Sequence, residues 1–217
     1  MKSKVIALLF VASVISLFAK AQDEREEEEK EKGFKKENLF TGGSVTASFY
    51  SGVTVLGISP LFGYKLKEWI DAGLVFNLNY TGIRDYPYFN DKLKQTVKGV
   101  GAFTRLYPVN FLFVQGQFEK NFTTQKYIPA PTSPPYSFKE TVNSNSLLIG
   151  AGYAQGRQRG SNTFFYLSIL VDVLKEEYSP YVEVKRDPNT GYISIRAIPI
   201  IRGGVNIGLF EGRNRDR

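Results

Sequence analysis

The sequence predicts an all-β fold, an eight-stranded antiparallel up-and-down transmembrane β-barrel. Three observations predict it. Segments of period-two alternation recur along the chain and run longer than ordinary strands. The connections between them alternate short and long. The N-terminus has the layout of an export signal.

The export signal comes first in the chain. Lys2 and Lys4 precede Val5–Phe18, fourteen almost uninterrupted apolar residues, and Ala19-Lys20-Ala21 places small residues where a signal peptidase reads them. At about 1.5 Å per residue the run reaches about 21 Å, short of a hydrocarbon core of about 30 Å. Residues 1–21 are therefore expected to be a cleaved signal peptide rather than an anchor. No cysteine follows, which excludes a lipoprotein anchor.

Residues 22–38 form a charged leader. Asp23–Asn38 holds eight acids and five bases with almost no apolar content, so it is expected to be a solvated spacer. From Leu39 the composition shifts to glycine, aromatic and β-branched residues, which is strand composition. Residues 39–210 are read as the barrel and 211–217 as a polar tail.

Eight segments carry the strand pattern: 42–51, 54–66, 69–82, 95–107, 111–124, 140–156, 162–174 and 192–210. Strands in soluble sheets usually have about 5–6 residues, whereas a tilted strand needs about 9–11 to cross a bilayer. In the third segment Ile70, Ala72, Leu74, Phe76, Leu78 and Tyr80 share one face. Asp71, Gly73, Val75, Asn77, Asn79 and Thr81 share the other. In the seventh, Phe165, Leu167, Ile169 and Val171 form the outer set, although Phe164, Tyr166 and Leu170 blur the opposite face. The eighth places Ile193, Ile195, Ala197, Pro199, Ile201, Val205, Ile207 and Leu209 on one side. Ser194, Arg196, Arg202, Gly204, Asn206 and Gly208 lie on the other, interrupted by Ile198 and Ile200.

Lys67-Glu68, Pro108–Asn110 and Arg157–Ser161 are short connections. Ile83–Lys94, Gln125–Lys139 and Lys175–Gly191 are long, the last ending in the turn signal Asp187-Pro188-Asn189-Thr190-Gly191. Only the loop near Ser51-Gly52 breaks the alternation. Outer-membrane barrels show this asymmetry between short periplasmic turns and longer external loops. Phe40, Phe49, Tyr50, Phe62, Tyr64, Trp69, Tyr80, Tyr107, Phe111, Phe122, Tyr153 and Phe210 lie mostly toward segment ends, where aromatic girdles form.

On these residues the chain resembles the small outer-membrane β-barrel proteins of the OmpA/OmpX type, in the form frequent in Bacteroidetes. The resemblance covers about Leu39–Phe210. Gly57-Ile58-Ser59-Pro60-Leu61-Phe62-Gly63-Tyr64, a turn, and Ala72-Gly73-Leu74 look like that family's second strand, periplasmic turn and third strand. Arg202, Gly204, Ile207 and Leu209, with Phe210 beside them, look like its barrel-assembly signal. Seven residues follow Phe210, whereas many members end at the terminal aromatic. The resemblance implies outer-membrane lipid, lipopolysaccharide and the barrel-assembly machinery as partners, and a monomer.

With no histidine and no cysteine, neither a Ser-His nor a thiolate or imidazole metal site can be built. Asp71, Glu119 and Asp172 are the remaining carboxylates that can face a lumen. Their expected partners are Arg105, Arg196 or Arg202, since buried charges must be paired. No catalytic, cofactor-binding or metal site is expected, and the protein is read as non-enzymatic. Gly99-Val100-Gly101 and Gly150-Ala151-Gly152 lie within strand patterns, not before helices, and so are not phosphate loops. The formal charge of +7 would suggest nucleic acid in the cytoplasm, but export removes that partner.

Eight strands leave an interior that side chains can fill. Phe103, Tyr107, Phe111, Phe113 and Leu148 are expected to point inward. A structural, adhesive or surface-interaction role in the outer membrane is the expected function. The external loops Tyr86-Pro87-Tyr88-Phe89 and Tyr127–Tyr136, and a hairpin over Tyr181–Ile195, are the surfaces a partner would meet. One alternative is a narrow pore. Another is a soluble exported lipocalin-like barrel with its apolar face inward around a small hydrophobic ligand.

Overall fold

The computed structural model describes residues 34–50, 53–85, 88–186 and 191–210. The expected signal peptide, most of the leader, the polar tail, Ser51-Gly52, Tyr86-Pro87 and Asp187–Thr190 lie outside them. By compactness the chain divides into Met1–Lys36 and Glu37–Arg217, and every strand belongs to the second unit.

The fold is all-β. Ten strands succeed one another: β1 (Leu39–Tyr50), β2 (Val53–Lys67), β3 (Ile70–Arg84), β4 (Lys92–Val109), β5 (Leu112–Ile128), β6 (Lys139–Gln155), β7 (Phe164–Asp172), β8 (Val182–Arg186), β9 (Ile193–Ala197) and β10 (Ile200–Gly208). Eight of them close an antiparallel, barrel-like ring in the order β1-β10-β7-β6-β5-β4-β3-β2, while β8 and β9 pair only with each other. Closure leaves no free edge. Strand β1 pairs with β10 from Phe40–Gly208 to Val45–Gly203, and with β2 from Leu39–Tyr64 to Tyr50–Val53.

The single eighth segment expected over 192–210 is corrected to two strands. Pro199 has no N–H to give a ladder, so the chain turns there and the Ile198 N–H bonds instead to the Tyr181 carbonyl at 2.9 Å. Strand β9 thereby joins the β8–β9 hairpin, and only β10 belongs to the ring. Pro108 falls at a second irregularity, where the β4–β5 register shifts between Leu106 and Val109.

Burial follows the pleat. Along β5 the inward set is Phe113, Gln115, Gln117, Glu119, Asn121 and Thr123, each buried, and every intervening residue is exposed. On β3, Leu74, Phe76 and Leu78 face outward at 46–51% exposure while Asp71, Val75 and Asn77 are buried. On β7 the outward set is Phe165, Leu167 and Ile169. Phe164, Tyr166 and Leu170, which blur the alternation in the sequence, are buried within the ring. The large apolar side chains thus divide into an exposed outer band and a smaller inner cluster.

Three expectations are corrected. Phe111 does not point inward: it sits in the turn between β4 and β5, is half-exposed, and packs its ring 6.3 Å from Tyr153. A turn residue is not bound by the strand's parity, so counting by twos from Phe113 misplaces it. Phe40, expected among the girdle aromatics at segment ends, is buried inside the ring; Tyr107, read both as a girdle aromatic and as inward-pointing, takes the inward position. Arg196 does not meet a lumen carboxylate. It lies exposed on β9 opposite Glu183.

Candidate functional site: the ring interior and the loop that closes it

The interior has three tiers, set by which inward positions the strands supply. Nearest the short turns is an aromatic tier of Phe40, Phe103, Tyr107, Phe113, Phe164 and Tyr166, with Leu61, Val75 and Ala154 around it. Tyr107 meets Phe164 edge-on at 6.3 Å, and Phe113 meets Tyr166 at 6.2 Å. These rings need room, and cross-strand glycines provide it. Phe40 lies opposite Gly63 and Phe113 opposite Gly152, and each ring covers the place where a Cβ would stand.

Cations are set among these rings. The Arg105 guanidinium lies 4.2 Å from the Tyr166 centroid, 5.0 Å from Phe103 and 5.1 Å from Phe113. It donates to Gln115 Oε1 at 2.8 Å and Asn206 Oδ1 at 3.1 Å. Arg157, from the connection after β6, stacks 3.8 Å from the Tyr107 ring and donates to the Glu68 carbonyl at 2.6 Å. Lys65 reaches Glu68 at 3.5 Å and the Ser161 carbonyl at 3.4 Å. Asp71 lies in the field of Arg157, Arg105 and Lys65. The short-turn end is therefore closed by rings and by cations that tie the β2–β3 turn to the β6–β7 connection across the ring.

The middle tier is a polar ladder. Gln115 Nε2 donates to Gln117 Oε1 at 2.6 Å, Gln117 Nε2 donates to Glu119 Oε1, and Asn121 Nδ2 donates to Glu119 Oε2 at 3.3 Å. Successive inward residues on one strand are near neighbours, so an amide of the right length links each to the next. Glu119 also receives Arg202 Nη2 at 3.3 Å, the expected carboxylate–arginine pair, fully enclosed. A cavity of about 10 Å³ remains among Ser44, Ser59, Arg105, Gln115, Gln117 and Ser168, room for about one water.

The third tier is supplied by the chain between β7 and β8. Ser179 Oγ donates to Asp172 Oδ2 at 2.6 Å and lies 3.0 Å from Ser146 Oγ, which in turn accepts from Asn121 at 3.3 Å. Tyr181 packs on Leu148, Leu170 and Ile200, and its hydroxyl donates to Glu119 Oε2 at 2.8 Å. Hydrogen bonds thus run without a break from Arg105 to Asp172. Asp172 takes its remaining partners from the Leu147 and Leu174 N–H groups, both at 3.1 Å, and not from a cation.

Of the carboxylates foreseen from sequence, all three are inside, but the structure does not bring them together. Glu119 is paired with Arg202, Asp71 sits toward the short turns, and Asp172 toward the long loops. Of the inward hydrophobics foreseen, Phe103, Tyr107, Phe113 and Leu148 are buried in the interior. Sequence reasoning missed Gln115, Gln117 and Asn121, although their spacing beside Glu119 was a readable signal. Tyr181, expected at the start of an exposed hairpin over Tyr181–Ile195, is corrected: it is buried inside the ring because the chain between β7 and β8 folds back, and the hairpin strands begin at Val182. Among the described residues no group of three or more Asp and Glu side chains is placed to hold a metal ion.

The long loops carry a second cluster. Asp91 is enclosed and accepts from the Ala130 N–H at 2.8 Å, Ser133 Oγ at 2.6 Å and the Tyr127 hydroxyl. Loss of hydration pushes its carboxyl up, but hydrogen bonds from Ser133, Tyr127, Ala130 and Tyr88 outweigh that and hold it below the usual carboxylate range. Among the described residues no helix is long and apolar enough to cross a membrane, which says nothing about strands. No protein-family model matches the chain, and no curated protein matches it significantly.

Proposed function

We propose that the ring is a transmembrane barrel of a bacterial outer membrane, non-enzymatic, with a filled interior and a structural or surface-interaction role borne by its long loops. One observation carries this reading: the distribution of polarity is inverted relative to a soluble barrel. Leu56, Ile58, Phe62, Leu74, Phe76, Phe118, Leu167, Ile169 and Ile201 face outward, while Glu119, Arg202, Arg105 and the amide ladder face inward. In water such a band would be a large exposed apolar surface, far beyond what monomeric soluble proteins tolerate. In lipid it is the favourable face, and a closed ring is the one sheet that leaves no backbone amide unsatisfied there.

The same inversion argues against a lipocalin-like binding protein, whose apolar face would enclose a ligand. A conducting pore is disfavoured by the aromatic tier and by Tyr181 at the other mouth. The resemblance to OmpA/OmpX-type barrels supports the same assignment. The test is membrane fractionation of the expressed protein with gel migration compared before and after boiling. Outer-membrane recovery with heat-modifiable migration is expected. Recovery in the soluble periplasmic fraction would overturn the proposal.

A further inference from the structure

The outer face is not uniformly apolar. Toward the long loops, the register of β3, β4, β5 and β6 stacks three outward-facing rows. The row at the border of the apolar band is Leu78–Lys98–Phe122–Asn143. The next is Tyr80–Thr96–Thr124–Thr141, with the last two hydroxyls 3.0 Å apart. The third is Gly82–Lys94–Lys126–Lys139. Lys94, Lys126 and Lys139 are therefore directly opposed on three adjacent strands, all exposed, at a strand spacing of about 4.8 Å.

Like charges placed directly opposite destabilise a sheet. Here three stand in one row, and among the described residues no carboxylate forms an ion pair with any of them. Lys98, two rows nearer the band, has Leu78 and Phe122 as its cross-strand neighbours, so its stem lies on apolar surface while its ammonium can reach toward the polar rows above. Arg84 and Lys92, paired one row further out, extend the same basic patch. A multivalent anion lying on this face would relieve the repulsion, and the threonine row beneath offers it neutral donors.

We infer that this face binds the phosphate-bearing headgroup of an anionic glycolipid, with its acyl chains running down the apolar band below Lys98. Charge complementarity and continuity with that band select a lipid over a soluble anion: the site is open to solvent above and apolar below. The inference rests on the transmembrane reading and names the lipid class that meets this side of the barrel.

The test reconstitutes the protein in phosphatidylcholine vesicles containing a bisphosphorylated acylated disaccharide lipid, then measures the glycolipid retained per protein after detergent extraction. Near an anionic surface each lysine contributes about 1 kcal/mol, about fivefold, so the variant K94Q/K126Q/K139Q is expected to retain at least about tenfold less. K126Q alone is expected to lose about fivefold. The wild type is expected to lose retention similarly when the glycolipid is stripped of its phosphates. In pure phosphatidylcholine the triple variant is expected to unfold no more readily than the wild type, because repulsion has been removed. Undiminished retention in either variant, or equal retention of the dephosphorylated lipid, overturns the inference while heat-modifiable migration in the vesicles leaves the transmembrane reading standing. Failure of the wild type to insert would overturn both.

Discussion

Tyr181 and Glu119 meet at 2.8 Å inside the ring, although one comes from the chain between β7 and β8 and the other from the middle of β5. Arg202 Nη2 stands 3.3 Å from both the Glu119 carboxylate and the Tyr181 hydroxyl, so the three form a closed triangle. A loop residue thereby completes the shell of a fully enclosed ion pair. The long-loop mouth is closed by the same contact.

Tyr181→Phe removes the hydrogen bond to the Glu119 carboxylate and the one from Arg202 Nη2, and is expected to cost about 1.5–3 kcal/mol or more. Glu119→Ala strands Arg202 without a counterion and is expected to cost about 3–5 kcal/mol. Unfolding midpoints of the reconstituted protein check both, and a double-mutant cycle should show the two effects to be non-additive. Additive losses would mean that the triangle does not act as a unit.

Leu74→Arg tests the outward face. A lipid-facing arginine near the midplane costs about 2–4 kcal/mol, so stable membrane assembly of this variant should fail. Normal assembly with an unchanged unfolding midpoint would contradict the assigned orientation.

Gly152→Ala tests the aromatic tier. The added methyl would stand 2.7 Å from the Leu167 carbonyl oxygen and within the Phe113 ring. Overpacking of this kind typically costs about 1–3 kcal/mol. Gly116→Ala, where nothing lies within 4 Å, is the matched control and should change the midpoint little.

Asp91 predicts a pH dependence confined to the long loops. Its carboxyl is held below the ordinary range of about 3.9, so its stabilising effect is full above that value and is lost as pH falls through the lower folded value. Protection of the amides in residues 88–91 and 129–138, referenced to the intrinsic exchange rate at each pH, should therefore fall below about pH 4, while the ring strands stay protected. Asp91→Asn should show the faster exchange already at neutral pH. Equal exchange in variant and wild type would remove Asp91 from the role of organiser.

Much of the ring was legible because burial of one face against lipid or core forces period two, and Ile70–Thr81 shows it almost undisturbed. The third strand's faces could be read directly from that pattern. Where both faces carry large side chains, as at Phe164–Leu170, the pattern blurs although the strand is intact, because the interior tier near the short turns is itself aromatic. The break at Pro199 was written in the chain as a residue that cannot donate to a ladder, yet the apolar alternation on either side of it read as continuous. Gln115, Gln117 and Asn121 were visible at period two beside Glu119, but their meaning depends on Arg202 and Tyr181. Those partners are brought to β5 only by ring closure and by the return of a loop. No local pattern encodes such meetings.

The short β1–β10 pairing has a consequence for assembly. Every other junction in the ring except β7–β10 joins strands that are neighbours in the chain, so hairpins can form as local events. The seam from Phe40–Gly208 to Val45–Gly203 joins the two extremes of the ring and must wait until the rest is in place. Until then both terminal strands offer free edges to any competing strand. A synthetic peptide with the sequence of β10 is expected to compete for the β1 edge at this last step, slowing ring closure during refolding while leaving the finished ring untouched.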